Sequence, residues 1–255
     1  MKRVLIFLLL LPLLGFASSD GGVLLDKPSF RINDHESLQR GAKYYMNYCS
    51  GCHSLKYIRY EQIAEGAGLV GSDGKALDKL VQNNLIFTGA RLTDPVVNNL
   101  NQQQAKEWFG VIPPDLSLTA RERGVSWLYT YLRSFYRDDE RPLGANNLVF
   151  PAVGMPNVLE SLQGIQVPIT KDEEVNVAGH HKKLPIIEQL ELVESGTLTP
   201  MEFDRMVTDL VNFLSYVSEP AKLDRYRLGV WVLLFLLVFL ILAYLLKQEF
   251  WRDIE

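Results

Sequence analysis

Both cysteines of this 255-residue chain lie within one short motif, Cys49-Ser50-Gly51-Cys52-His53. Two cysteines are too few for a disulfide-rich scaffold or a four-cysteine zinc site. A thioredoxin-like redox pair would need a strand–helix–strand context, which the surrounding sequence does not suggest. Side chains three apart on a helical turn project to the same side, so two thiols can form thioethers to one haem while the next histidine ligates its iron. The motif predicts one covalently bound haem c, attached through Cys49 and Cys52 and ligated by His53.

The other axial position of the iron has several candidate ligands in this sequence. They are His35, His180, His181, Met46, Met155, Met201 and Met206. Met46 is too close to the motif to reach across the ring. The two methionines after residue 200 fall on the expected inward face of a late helix, and the three histidines lie in polar stretches typical of surface. Met155 sits between Gly154 and Pro156, in a non-helical segment that can present a thioether, so spacing favours it without excluding the rest.

The N-terminus has the layout of a secretory signal peptide. Lys2 and Arg3 precede an apolar run of 11 residues, Val4 to Leu14, and small residues follow at Gly15 and Ala17. A run of this length is short for a membrane span, which needs about 17–25 residues, although an uncleaved anchor is the alternative. We expect residues 1–17 to be a cleaved signal peptide.

The C-terminus has a second apolar run, Leu228 to Leu246, with 19 residues and no charge. As a helix it would be about 28 Å long, which matches a hydrocarbon core of about 30 Å. Basic and aromatic residues flank it, as is typical of headgroup anchoring, whereas a buried core helix is the alternative. We expect a transmembrane helix over 227–247 and a tail over 248–255. The flanking positive charges slightly favour the opposite orientation, but the signal peptide predicts an exported body and a cytoplasmic tail.

The remaining body, residues 18–226, is expected to be a single mainly α domain with long loops. Helices are predicted over 38–48, over 120–136 and from the Thr199-Pro200 start to about Val217. Short β-branched runs between residues 157 and 185 predict a hairpin. A covalent haem would supply the apolar core that such a loop-rich body otherwise lacks.

Charge separates the body from the two ends. The whole chain carries a net charge of −4, whereas residues 18–226 contain 21 Lys and Arg against 27 Asp and Glu. An acidic body does not suit nucleic acid as a partner. Acidic groups such as Asp138-Asp139-Glu140 are mostly solvated surface, but one of them could steer a basic protein partner.

Four segments, in this order, resemble the cytochrome c1 family, the haem subunits of the cytochrome bc1 complex (ubiquinol:cytochrome c oxidoreductase). They are RGAKYYMNYCSGCHSLKYIRY, GVIPPDLS at Gly110 to Ser117, FPAVGMPNVL, and DLVNFLSYVSEP followed by the apolar run. The resemblance covers nearly all of the chain after residue 17, and the order of the four is far more specific than any one of them.

The resemblance implies a cytochrome c-like haem domain with one C-terminal transmembrane helix. It implies Met155 as the second axial ligand and Pro113, Pro114 and Leu116 as haem-pocket residues. No arginine precedes the proline-rich segment, so Lys106 and Arg91 stay open as partners of a haem propionate.

The resemblance also implies a function in the respiratory chain. One electron would come from a Rieske iron–sulfur protein and pass to a soluble or anchored cytochrome c, in a dimeric complex with cytochrome b and with no quinone chemistry on this chain. The haem domain would lie in the periplasm, attached to the bacterial inner membrane in contact with lipid. The alternatives are an anchored cytochrome that serves another complex, such as a terminal oxidase, and a haem peroxidase or sensor, which would need an open iron position.

Overall fold

The computed structural model of the protein describes residues 23–177 and 180–252, and side chains are described outside 173–185. The expected signal peptide, residues 1–17, lies outside this part. The helices here are α1 (His35–Tyr48), α2 (Tyr60–Gly66), α3 (Asp78–Asn84), α4 (Gln102–Phe109), α5 (Thr119–Glu122), α6 (Val125–Arg133), α7 (Glu160–Gln163), α8 (Pro200–Ser218) and α9 (Lys222–Trp251). The strands are β1 (Leu55–Arg59), β2 (Pro95–Val96), β3 (Phe135–Arg137), β4 (Ala145–Asn147), β5 (Gly164–Val177) and β6 (His180–Ser195).

Helices α1 and α8 pack against each other and form the centre of the core. The helices approach closely at Gly41, where a Cβ atom would lie 2.2 Å from the Asp209 carbonyl oxygen and 2.6 Å from Phe213 Cβ. Beside this point the rings of Tyr45 and Phe213 lie 5.6 Å apart. Arg40 clamps the buried Asp209 carboxylate through two hydrogen bonds of 2.6 and 3.0 Å. These contacts hold α1, which leads into the cysteine motif, against α8.

The predicted start of the late helix is confirmed. The Thr199 hydroxyl accepts from the Glu202 N–H while the Glu202 carboxylate accepts from the Thr199 N–H, and Pro200 occupies the first helical position. This reciprocal cap satisfies amide donors that have no partner inside the helix. The inward face contains Met206, as predicted. The prediction for Met201 is wrong, because this side chain is 81% exposed.

The helix predicted over 120–136 is divided into three elements. Gly124, with φ of 90°, separates α5 from α6, since this backbone conformation cannot continue a helix. After α6 ends at Arg133, β3 pairs antiparallel with β4, with Phe135 opposite Asn147. Apolar spacing predicted one long helix because it carries no information about the β4 partner.

The predicted hairpin is confirmed, but it begins and ends later in the chain. Strands β5 and β6 pair antiparallel from Gly164 opposite Ser195 to Val177 opposite His180. Each sheet in the described residues has two antiparallel strands. The body is therefore mainly helical, with strands as short connections and one long ribbon.

Helix α9 begins five residues before the expected membrane span and continues beyond it. Among the described residues it is the one helix long and apolar enough to cross a membrane, and none of its apolar window is buried against the protein. An all-round apolar surface without a protein neighbour suits lipid rather than a core.

Candidate haem site

The cysteine motif forms a tight turn directly after α1. The N–H groups of Cys52 and His53 both donate to the Cys49 carbonyl, at 3.1 and 2.8 Å. Cys49 is buried and Cys52 is half-buried. Burial, with a smaller contribution from Cys52, raises the pKa of Cys49 to about 12, so this thiol is neutral in the folded chain. The turn keeps both sulfurs and the imidazole within a single loop of chain.

The His53 ring is oriented by a backbone carbonyl from a distant segment. Its Nδ1 lies 2.7 Å from the Pro114 oxygen, and a carbonyl can only accept, so Nδ1 carries the proton. The Nε2 lone pair is then available for a metal, an arrangement common among metal-bound histidines. Burial lowers the pKa of His53 and so favours the neutral, ligating form. The Tyr45 hydroxyl donates to the His53 carbonyl at 2.6 Å and so holds the backbone of His53 in place.

The proline-rich segment, Gly110 to Ser117, runs along the residues that follow the motif. The Leu116 N–H donates to the Ser54 carbonyl at 3.0 Å, and the Asp115 carboxylate accepts from the Lys56 N–H at 2.9 Å. Pro113 and Cys52 both line a cleft of about 140 Å³. Leu116 packs against the main core, while Pro114 contributes the carbonyl that holds His53.

Met155 lies half-buried in a second, smaller apolar cluster with Phe135, Ala145 and Val153. The Tyr131 hydroxyl donates to its sulfur at 3.3 Å. A Cβ on the preceding Gly154 would lie 2.7 Å from a Val111 methyl, so the two chain segments touch there. The proline-rich segment therefore contacts His53 through Pro114 and, through Val111, the methionine segment, Phe150 to Leu159.

The other candidate ligands have different surroundings. Met46 and Met206 are packed into the main core, and Met201 is exposed. His35 is exposed, as expected, and its Nδ1 is 2.8 Å from the Gly66 carbonyl oxygen. The side chains of His180 and His181 lie outside the described part of the structure.

An aromatic column on α6, which sequence reasoning missed, leads to Met155. The Trp127 and Tyr131 rings stack with centroids 4.9 Å apart, and the Arg123 guanidinium lies 5.2 Å from the Trp127 centroid. Phe150, from the methionine segment, meets Trp127 edge-on at 6.4 Å. Burial raises the pKa of Tyr131, so its hydroxyl stays protonated. The spacing of four residues along 123, 127 and 131 is the signal that could have identified this face.

Asn98 is a second residue that sequence reasoning missed. Its side-chain amide donates to the Cys52 carbonyl at 2.6 Å, and its N–H donates to the Ser54 hydroxyl at 3.0 Å. Of the two possible propionate partners, Arg91 binds Asp94 and Lys106 is exposed on α4. Neither the Arg91–Asp94 pair nor the exposed Lys106 identifies a partner for a haem propionate.

The residues around the motif fit a haem. Two thiols, an imidazole with a free Nε2 and a thioether make up the donor set of a haem c with one histidine and one methionine ligand. The apolar side chains of Val97, Val111, Ile112 and Phe150 are 43%, 52%, 48% and 44% exposed. An apolar macrocycle beside Cys52 would cover surface of this kind.

Comparisons with known proteins identify the family of the chain. A model of the Cytochrome C1 family matches residues 27–254. Cytochrome c1 of Allochromatium vinosum is 47% identical over 254 residues, with 100% of this chain and 99% of the relative covered. The ammonia monooxygenase gamma subunit of Nitrosomonas europaea is 42% identical over 254 residues, with 100% and 98% covered. Cytochrome c1 of Rhodospirillum rubrum is 28% identical over 261 residues, with 93% and 91% covered. On the family match and the full-length similarity, this chain belongs to the cytochrome c1 family, haem proteins of electron transport in bc1 complexes.

Proposed function

We propose that this chain accepts one electron from a Rieske iron–sulfur protein and passes it to a cytochrome c, as the haem subunit of a ubiquinol:cytochrome c oxidoreductase. The observation that carries the proposal is the pair of contacts made by the proline-rich segment. Its Pro114 carbonyl orients the His53 imidazole, and its Val111 side chain meets the loop of Met155. One segment thereby positions two candidate iron ligands that are about 100 residues apart in the chain.

Each residue of the site has a distinct role in this proposal. Cys49 and Cys52 attach one haem through thioethers, and His53 and Met155 ligate its iron. Pro113 and Pro114 line the pocket, and Leu116 anchors their segment in the core. A haem held in this way supplies a one-electron iron couple without an open coordination position. No proton donor, nucleophile or quinone site is required of this chain.

We propose that residues 18–226 lie in the periplasm, held to the inner membrane of a bacterium by the span over 227–247. Exported by the signal peptide over residues 1–17, the body would be accessible from outside, whereas the tail over 248–255 would be cytoplasmic. Protease added to intact spheroplasts should digest the body, with a cytoplasmic protein as the protected control. A body that resists protease until the membrane is lysed would contradict this orientation.

Purification in mild detergent tests the proposed partners. We expect the reduced-minus-oxidised spectrum of haem c, together with cytochrome b and a Rieske protein, in a complex with two copies of each. Oxidase subunits would instead indicate an anchored cytochrome that serves a terminal oxidase. The name of the Nitrosomonas europaea relative adds a third outcome, which is co-purification with monooxygenase subunits.

Carbon monoxide binding distinguishes an electron-transfer haem from the haem of a peroxidase or gas sensor. Reduced haem with two protein ligands should not bind carbon monoxide, because no iron position is open. Binding by the native reduced protein would favour a peroxidase or sensor and contradict the proposal.

A further inference from the structure

The hydroxyl of Tyr131 faces the sulfur of Met155 at 3.3 Å, and the proposed electron-transfer role does not by itself require this contact. We propose that Tyr131 is a positioning residue for the Met155 thioether, and that its hydrogen bond raises the reduction potential of the haem. This inference rests on the proposed ligation by Met155.

The donor is held in place by rings on both sides. The Tyr131 ring stacks on Trp127 at 4.9 Å with planes 10° apart, and Phe135 meets it edge-on at 5.1 Å. The backbone carbonyl of Tyr131 accepts from the Asn147 amide at 2.8 Å. Because Tyr131 lies on α6 between two rings, its hydroxyl has little freedom to leave the sulfur.

The acceptor is held by side-chain bonds to its loop. The Asn146 side-chain oxygen accepts from the Ala152 N–H at 2.8 Å, and Ala152 has a φ of 61°, a conformation uncommon for a residue other than glycine. Val153 packs in the same small cluster as Phe135, which also contacts the tyrosine. Donor and acceptor are therefore fixed by one local unit made of α6, β3, β4 and the methionine segment.

The effect on potential follows from the direction of the O–H dipole. A thioether sulfur has a second lone pair, which can accept a hydrogen bond while the first one binds iron. The positive end of the hydroxyl dipole faces the Met155 sulfur and would withdraw electron density from it when the sulfur is bound to iron. This withdrawal disfavours the more positive ferric state, so the bond raises the potential and weakens the ferric iron–sulfur bond.

Tyr131→Phe tests the proposal in the full-length, detergent-solubilised protein, because it removes the hydroxyl and keeps the stacked ring. Tyr129→Phe is the matched control. It removes a hydroxyl from the same helix, but the Tyr129 ring contacts Arg133, whose guanidinium lies 4.7 Å from the ring centroid. We expect Tyr131→Phe to lower the potential by a three- to tenfold change in the ferrous-to-ferric equilibrium. This corresponds to about 30–60 mV at 59 mV per tenfold for one electron. The control should match the native protein.

Titration of the ferric protein with imidazole distinguishes an effect of the hydrogen bond on the reduction potential from a loss of the position of the Met155 side chain. If the hydrogen bond weakens the ferric iron–sulfur bond, Tyr131→Phe should retain the sulfur-to-iron absorption band and bind imidazole about three- to tenfold more weakly. A purely structural role predicts the opposite, with a weakened band and tighter imidazole binding, and this result would overturn the proposal. An unchanged potential would overturn it as well. If the native protein itself lacks the sulfur-to-iron band, Met155 is not an iron ligand, and the inference about Tyr131 is refuted together with that assignment.

Discussion

Two adjacent asparagines determine the path of the methionine segment. The Asn147 side-chain oxygen accepts from the N–H groups of Val149 and Phe150, both at 3.0 Å, and Asn146 does the same for Ala152. These bonds replace the ladder that regular structure would provide, so backbone groups are satisfied in a segment without periodicity. The conformation of this loop is therefore held by hydrogen bonds from the backbone to side chains, whereas a helix is held by hydrogen bonds within the backbone.

Met155→Leu should remove the proposed iron–sulfur bond while the haem stays attached through the cysteines. Leucine has similar size but no donor atom, so we expect a potential lower by on the order of 100 mV and loss of the sulfur-to-iron band. Carbon monoxide binding to the reduced variant should appear at the opened position. Redox titration and absorption spectroscopy measure these changes. Met201→Leu, at an exposed site on α8, is the control, and unchanged potential and band in Met155→Leu would refute the ligand assignment.

At the scale of elements, the packing of α1 on α8 positions the cysteine–histidine motif. The helices approach so closely at Gly41 that this position has no room for a Cβ atom. Cys49 follows α1 directly, and its burial depends on where the helix lies. Any substitution that separates the two helices should therefore change the burial of Cys49 as well as the packing of the core.

Gly41→Ala should destabilise the protein by about 1–3 kcal/mol, because the added methyl group would overlap the Asp209 carbonyl and Phe213. The midpoint of denaturant unfolding, followed by circular dichroism, measures the loss. Gly89→Ala is a matched control, since its Cβ would meet nothing within 4 Å. Equal midpoints for the two variants would show that α1 and α8 can separate at little cost.

At the scale of the whole molecule, an acidic body is combined with an apolar helix, α9, whose apolar window is not buried against any other described part of the chain. The chain has a pI of about 5.7, and its negative charge is concentrated before the membrane helix. The turn between β3 and β4 carries the exposed Asp139 and Glu140, and it precedes the methionine segment in the chain. An exposed acidic surface on the body would attract a basic electron acceptor.

Reduction of a basic cytochrome c by this protein should slow with rising ionic strength, by about tenfold between low and physiological salt, because screening removes the attraction. Stopped-flow kinetics measures the rate, with a neutral small-molecule oxidant as the control. Replacing Asp139 and Glu140 by Asn and Gln should reduce the salt dependence. The same number of changes at Glu188 and Glu191 on the hairpin should have less effect. A rate independent of salt would contradict electrostatic steering.

Features that depend on neighbouring residues could be predicted from the sequence. The cap at Thr199 and Pro200, the hairpin and the apolar α9 depend on spacing, propensity and hydropathy, and the sequence predicted each of them. The cysteine–histidine motif is also local, since it consists of five consecutive residues, and haem attachment through it stays a prediction. Family membership also followed, since the order of four segments is itself a property of the sequence.

Contacts between distant residues become visible in the folded chain alone. Spacing does not indicate that the Pro114 carbonyl orients His53, or that Tyr131 donates to Met155. It also predicted one helix where Gly124 and the pairing of β3 with β4 divide the chain, and it placed Met201 inside. Such contacts join segments far apart in the chain, so they depend on how all the elements pack together. No local pattern carries that information.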